Sequence, residues 1–246
     1  VVATVVDAKG STPRETGAKM IVKKDGIVEG TIGGGAIEKV VVDEALKRMD
    51  SGEAITINYD LGDLKMQCGG KMTVFLEPII PMPQLFIFGA GHISHSLNKI
   101  ANMIGFRVGI IDNRVEFSNA ERFPNANIII AKEYEGAFSE LRFDKNTFIV
   151  IVTHKHLHDE AVLQRCVQQP FAYLGMIGSK VKVKKALAKL KEHGIDSQLI
   201  KRIHTPIGLD IGAQTPEEIS IAIAAEMIAI RSGATTLPSS LTISND

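Results

Sequence analysis

The sequence has no tryptophan, two cysteines and no net charge. Lysine plus arginine and aspartate plus glutamate number 28 each, so no one-signed field would draw the chain to nucleic acid or to an anionic membrane. The cysteines, Cys68 and Cys166, are too few for a disulfide framework and suit a reducing cytoplasm. Long apolar runs are also missing: "FIVIV" and "NIIIA" are far too short to cross a bilayer. No secretory leader is read at the start, where Val1 already reads as strand. What is present is a globular composition. Of 246 residues, 45% are hydrophobic and 23% charged, enough for one large or two small cores.

A seam lies at "EPIIPMPQLFIFG" (77–89), where Pro78, Pro81 and Pro83 can neither continue a helix nor donate to a ladder. Domains are therefore expected at 1–80 and 84–236. Before the seam, "VVATVVDA", "AKMIVKKDGIVEGTI" with a hairpin turn at Asp25-Gly26, "AITINY" and "KMTVFLE" read as strands. Between them Ile37, Val40, Val41, Ala45 and Met49 share one face of a helix that stops at Gly52. This predicts a small α+β domain.

After the seam, buried-type strands ("QLFIFG", "FRVGIID", "ANIIIA", "TFIVIVT", "FAYLGMI") alternate with helical patterns. Such βαβ rhythm predicts a Rossmann-like, doubly wound parallel sheet. The last helix has a capping box at Thr215 and Glu218, Pro216 at its first position and Gly233 past its end. Its apolar face is expected on the sheet, against the first half or against a second subunit.

"FIFGAGHISHSL" carries Gly89, Gly91 and Ser94 between strand and helix, one step from the dinucleotide fingerprint. Glycine lets the backbone approach a pyrophosphate, and the helix start favours its charge. Asp112 ends the next strand, where a carboxylate can take a ribose hydroxyl, and Arg114 leaves room for a phosphate, so NAD(P) is one expected ligand. The other reading is glycines that only make a turn.

In the first half, Gly33, Gly34 and Gly35 precede a helix whose first turn holds Glu38, and Arg14 in "GSTPRETGAKM" could clamp an anion. A plain turn and cap is the alternative. Cys68, before Gly69-Gly70, is either a soft-ligand or sulfur-carrying thiol or a small core hydrophobe.

"THKHLHDEAVL" (153–163) is similar to the T-H-x-H-x-D-H of zinc hydrolases, but its last pair is reversed, His158-Asp159. Nothing forces three or four ligands to converge, as zinc needs. His156 and Asp159, at the C-terminal edge of a strand, could instead face the nucleotide cleft as acid–base groups, with Asp159 also capping the following helix. The cap alone is the next reading, ahead of zinc.

Together, and in order, these segments resemble the XdhC/CoxI family, accessory proteins of xanthine dehydrogenase and related molybdenum hydroxylases. "GSTPRETGAKM", "GTIGGGAIEK" and "CGG" are similar to its N-terminal signatures. "FGAGHI", "IDNRVEFSNAERFP", "THKHLHDEAVL", "YLGMIGSKVK" and the final helix are similar to its Rossmann-type half. The resemblance implies binding of molybdenum cofactor, as molybdopterin or a dinucleotide form. It implies sulfuration with a cysteine desulfurase and delivery to the apo-hydroxylase; a homodimer is expected separately, because two-fold dimers are the commonest oligomers. It adds His92 and Ser179 to the cofactor contacts and reads the histidine run as T-x-x-H-x-x-D, on Thr153, His156 and Asp159. Position 36 departs: Ala36 stands where many members have cysteine, so a thiol step falls to Cys68 or is absent. An NAD(P)-dependent oxidoreductase and, more remotely, a metallo-hydrolase are the competing functions.

Overall fold

The computed structural model describes residues 1–154 and 156–234; the side chains of Asp50, His156 and Leu157 lie outside the described residues. So do residues 235 and 236 of the expected second domain and the side chain of the expected catalytic His156. The chain separates into two compact units, Val1–Pro81 and a second that begins at Met82.

The first unit runs β1 (Val2–Lys9), β2 (Lys19–Val22), β3 (Val28–Gly30), α1 (Gly35–Ser51), β4 (Ile55–Asp60) and β5 (Lys71–Glu77). Its antiparallel sheet has the order β3-β2-β1-β5-β4. Alternate residues of the sheet (Ala3, Val5, Met20, Val22, Met72, Val74, Leu76) meet Ile37, Val41 and Ala45 of α1 in one core. The helical face read from the sequence is therefore the buried one. Each fully buried valine, isoleucine, leucine or methionine among them is worth roughly 1.5–3 kcal/mol.

The second unit runs β6 (Gln84–Phe88), α2 (His92–Met103), β7 (Arg107–Ile111), β8 (Ile128–Ile130), the short α3 (Tyr134–Ala137), β9 (Phe148–Ile151), α4 (His156–Cys166), β10 (Tyr173–Met176), α5 (Lys180–Glu192), α6 (Ser197–Lys201), β11 (Ile203–His204) and α7 (Pro216–Arg231). The six strands are parallel in the order β11-β10-β9-β6-β7-β8. Numbered from β6, this is the 3-2-1-4-5-6 order of the Rossmann fold, with the switch point between β6 and β9. Along β6, Leu85 and Ile87 face α2 and α7, while Phe86 and Phe88 face α3, α4 and α5. Side chains alternate across a strand, so a sheet covered on both faces has no polar side, and β6, β9 and β10 read as unbroken apolar runs.

The capping box of α7 is present, and the helix packs within the second unit on the sheet and on α2. It also carries a buried carboxylate. Glu226 accepts from the Tyr173 hydroxyl and from Gly208 N (2.9 Å), and its Oε1 lies 3.2 Å from His204 Nδ1. Burial alone would push this carboxyl up; the His204, Tyr173 and Gly208 contacts outweigh it and hold it below the usual range. A depressed carboxylate stabilises the fold above its unfolded pKa, and that stability is lost as pH falls through the folded value. Glu226→Gln replaces an acceptor with a donor and is expected to cost about 1–3 kcal/mol at pH 7. The gap from wild type should have narrowed at a pH well below the usual carboxylate range. Urea unfolding followed by circular dichroism at both pH values checks this; a gap independent of pH would contradict it.

Candidate functional site

In the first unit, three segments far apart in sequence meet at one end of the sheet. Gly70 N donates to Ser11 O (3.0 Å), and a Cβ on Gly70 would stand 2.3 Å from that oxygen. A Cβ on Gly33, whose φ is +139°, would stand 2.4 Å from Pro13 Cγ. The loop 10–17 thus lies between "CGG" and "GGG" and reaches both because neither glycine has a side chain. A polar hollow of about 520 Å³ opens beside this loop, lined by Ala8, Gly10, Ser11, Thr12, Glu15 and Thr16. Arg14 is exposed on the same loop. Cys68 is a half-buried free thiol whose side chain packs partly on the core. Cys166 is fully buried in α4, and burial pushes its thiol well up, which makes it inert.

The glycine loop differs from the expected open anion site. Glu38 reaches back from the first turn of α1 and accepts from the Thr31 hydroxyl and from Ile32 N (3.1 Å). Burial would raise this carboxyl, but the Thr31 hydroxyl and the amides of Gly34, Ile32 and Gly33 hold it down. Glu38 is therefore not a spare ligand group. It is the loop's own anion, seated where a helix start favours negative charge.

In the second unit, Gly89, Asp112 and Arg114 come together at the C-terminal ends of β6 and β7. Asp112 is fully buried. Its Oδ2 accepts from Ala90 N (2.8 Å) and Arg114 Nη2 (2.8 Å), and its Oδ1 from Arg114 N (3.0 Å) and Nε (2.9 Å). This corrects the expectation that Asp112 offers a carboxylate to a ribose: both oxygens are committed to the loop and to a bidentate guanidinium. Burial pushes Asp112 up, and these bonds, Arg114's side chain first, bring it below the usual carboxylate range.

Gly91 precedes α2, with open space where its Cβ would be, and His92 is exposed on the first turn. Ser179 is the exposed N-cap residue of α5, beyond the end of β10. Asp159 is buried inside the first turn of α4 and accepts from Thr153 N (3.0 Å) and Oγ1 (2.6 Å). It ties the strand end to the helix by reaching back, as the acidic member of a capping box does, and is not the N-cap residue itself. His154 and His158 lie ring to ring at 5.2 Å, and His158 lies 5.3 Å from the ring of Tyr134. Among the described residues no group of three or more His, Cys, Asp or Glu could hold a metal ion.

The sequence reading missed two side chains here, Arg122 and Tyr134. Arg122 lies within "IDNRVEFSNAERFP", and Tyr134 opens a four-residue helix too short to leave a periodic signal.

An antiparallel α+β unit followed in the chain by a Rossmann-ordered parallel sheet, each with a glycine loop at a helix start, defines a two-unit α/β protein. Residues 85–227 match the XdhC Rossmann domain and residues 1–60 match the XdhC and CoxI family; the chain belongs to that family. It is 35% identical over 240 residues to the uncharacterized protein YqeB of Escherichia coli (strain K12), covering 94% of this chain and 43% of that one. It is 32% identical over 158 residues to a probable xanthine dehydrogenase subunit from Bacillus subtilis (strain 168), covering 64% and 46%. It is 25% identical over 264 residues to the molybdenum cofactor insertion chaperone PaoD of Escherichia coli (strain K12), covering 94% and 83%. The chain thus spans less than half the length of the first two relatives. A crystal structure of a xanthine dehydrogenase from Bacillus halodurans superposes with a TM-score of 0.57 over 97% of this chain and 93% of that one, at 23% identity, a likeness of fold. Among the described residues no helix is long and apolar enough to cross a membrane.

Proposed function

We propose that this chain is an accessory protein of a xanthine dehydrogenase or related molybdenum hydroxylase. In this reading it holds molybdenum cofactor, supports its sulfuration with a cysteine desulfurase and passes it to the apo-enzyme, as a cytoplasmic homodimer. One observation carries the reading: loop 10–17, which lines a polar hollow, packs against Gly33 and Gly70 of the two glycine turns. The similarity to a molybdenum cofactor insertion chaperone supports it. The donor set suits the cofactor: a half-buried thiol is a soft ligand, and hydroxyls and loop amides suit a polar, phosphate-bearing pterin. With alanine at position 36, Cys68 is the thiol available in this unit. The oxidoreductase reading gains nothing from the geometry, since the Asp112 carboxylate is already engaged.

The test is pterin fluorescence after acid oxidation of protein purified from a molybdenum-replete host. Wild type is expected to yield pterin and Cys68→Ala markedly less. Equal yields would move the binding role to the loops, and no pterin in wild type would remove the proposal.

A further inference from the structure

The loop Gly89–Gly91 has its own charged neighbour, within the segment "IDNRVEFSNAERFP". Arg122 lies beside it, with Nη2 3.5 Å from Ala90 O, the limit of hydrogen bonding. Its Nε is buried without a hydrogen-bond partner among the described residues. The guanidinium is 5.1 Å from the centre of the Phe117 ring, and that of Arg114 is 4.0 Å from the same ring. Two cations therefore flank one aromatic ring next to a glycine loop, while among the described residues only one carboxylate, Asp112, is bonded to either of them.

Tyr134 is a second, independent observation. It is 5% exposed, and its hydroxyl has no hydrogen-bond partner among the described residues. The ring lies between Phe88, the last residue of β6, and His158 in the first turn of α4. The charges acting on the phenol are those of Asp112, Arg114, Asp159 and Glu133, most of them at the C-terminal strand ends. Burial keeps it protonated, so it can donate. A buried hydroxyl left without a partner is costly, and here it stands at the switch-point edge where ligands of this fold bind.

We propose that Arg122 and Tyr134 are the ligand-facing groups of the second unit, and that they grip a pyrophosphate-bearing ligand laid against Gly91 and the start of α2. The first amides of a helix have no acceptor within it, and Gly91 leaves the approach open. Arg122 adds a charge-assisted bond, and Arg114, held by Asp112, turns its remaining edge to the second phosphate. Tyr134 donates to an oxygen of the ligand. Because Asp112 is committed, the sugar contributes little: recognition is of the linked phosphates and not of a ribose diol. This inference does not depend on the accessory role, and the two are tested separately.

The experiment is calorimetric titration of the full chain with ADP, inorganic pyrophosphate and adenosine. ADP and pyrophosphate are expected to bind and adenosine is not. Arg122→Gln should weaken ADP about tenfold or more, with Arg122→Lys recovering part of the loss. Tyr134→Phe should weaken ADP severalfold while leaving the ligand-free Tm unchanged or higher, since it removes a hydroxyl that has no partner in the free protein. Adenosine binding as tightly as ADP, no heat with ADP and pyrophosphate, or wild-type ADP affinity in both Arg122→Gln and Tyr134→Phe would each overturn the proposal. A lower Tm in Tyr134→Phe with unchanged ADP affinity would make the hydroxyl structural and also overturn it. Pterin retention with flat ADP titrations would leave the accessory role standing and remove only this inference; ADP binding without pterin would do the reverse.

Discussion

Asp112→Ala is expected to destabilise the second unit by about 3–5 kcal/mol, the usual cost of breaking a buried, hydrogen-bonded ion pair. The carboxylate is fully buried and accepts four hydrogen bonds, one from the glycine loop and three from Arg114. Alanine leaves Ala90 N–H without its acceptor and the guanidinium without its counter-charge. Arg114's side chain is 24% exposed, so it can turn partly to water, which favours the lower end of the range. The melting temperature should fall by roughly 10 °C. Asp112→Asn keeps the shape and one acceptor oxygen and should lose about half as much. Thermal melts followed by circular dichroism are the right measurement, because the chain has no tryptophan to report by fluorescence. A loss below about 1 kcal/mol for the alanine variant would show that the latch matters little, since single surface contacts fall in that range.

Gly89→Ala should be similarly damaging for a different reason. Gly89 has φ +114°, and an added Cβ would stand 2.3 Å from Val152 O, 2.7 Å from its carbonyl carbon and 3.0 Å from Thr153 Cα. Every one of these is a backbone atom, so no rotamer change relieves the clash. The ends of β6 and β9 would have to part at the switch point, and about 3–5 kcal/mol is expected from strain and lost packing together. Gly91→Ala is the matched control. Its Cβ would enter open space at φ −78°, so the loss should be within about 1 kcal/mol, the usual range at a helix N-cap. Equal melting temperatures for Gly89→Ala and wild type would contradict the close approach.

The architecture is largely legible in the sequence because its signals are local and redundant. The apolar run of β6, the glycines after it and the amphipathic pattern of α2 agree with one another, as do Thr215, Pro216 and Glu218 at the start of α7. The lysine-rich "KVKVKKALAKLKE" carries a helical signal that the strand-by-strand reading passes over: Val183, Ala186 and Leu190 are spaced as a buried helical face, and the segment is α5. The two-residue β11 is too short to carry any pattern. Site chemistry is harder because it depends on which groups already hold one another. Asp112 and Glu38 stand out as residues, but sequence spacing does not reveal that their carboxylates are satisfied within the fold. Nor does it pair Tyr173, His204 and Glu226, which meet only through the packing of α7 on β10 and β11.

The resident carboxylate in the first unit's glycine turn bears on what that turn will admit. Glu38 already accepts from the Thr31 hydroxyl and the Ile32 amide, so an anion arriving at that amide enters by exchange and not by addition. An anion that could replace only these two contacts would gain little by the exchange. A larger guest that also touched loop 10–17 and the Cys68 turn would bring contacts that Glu38 cannot match, and would win the exchange. In the proposed role, selectivity would rest on a competitor built into the chain, since the turn already holds a carboxylate of its own.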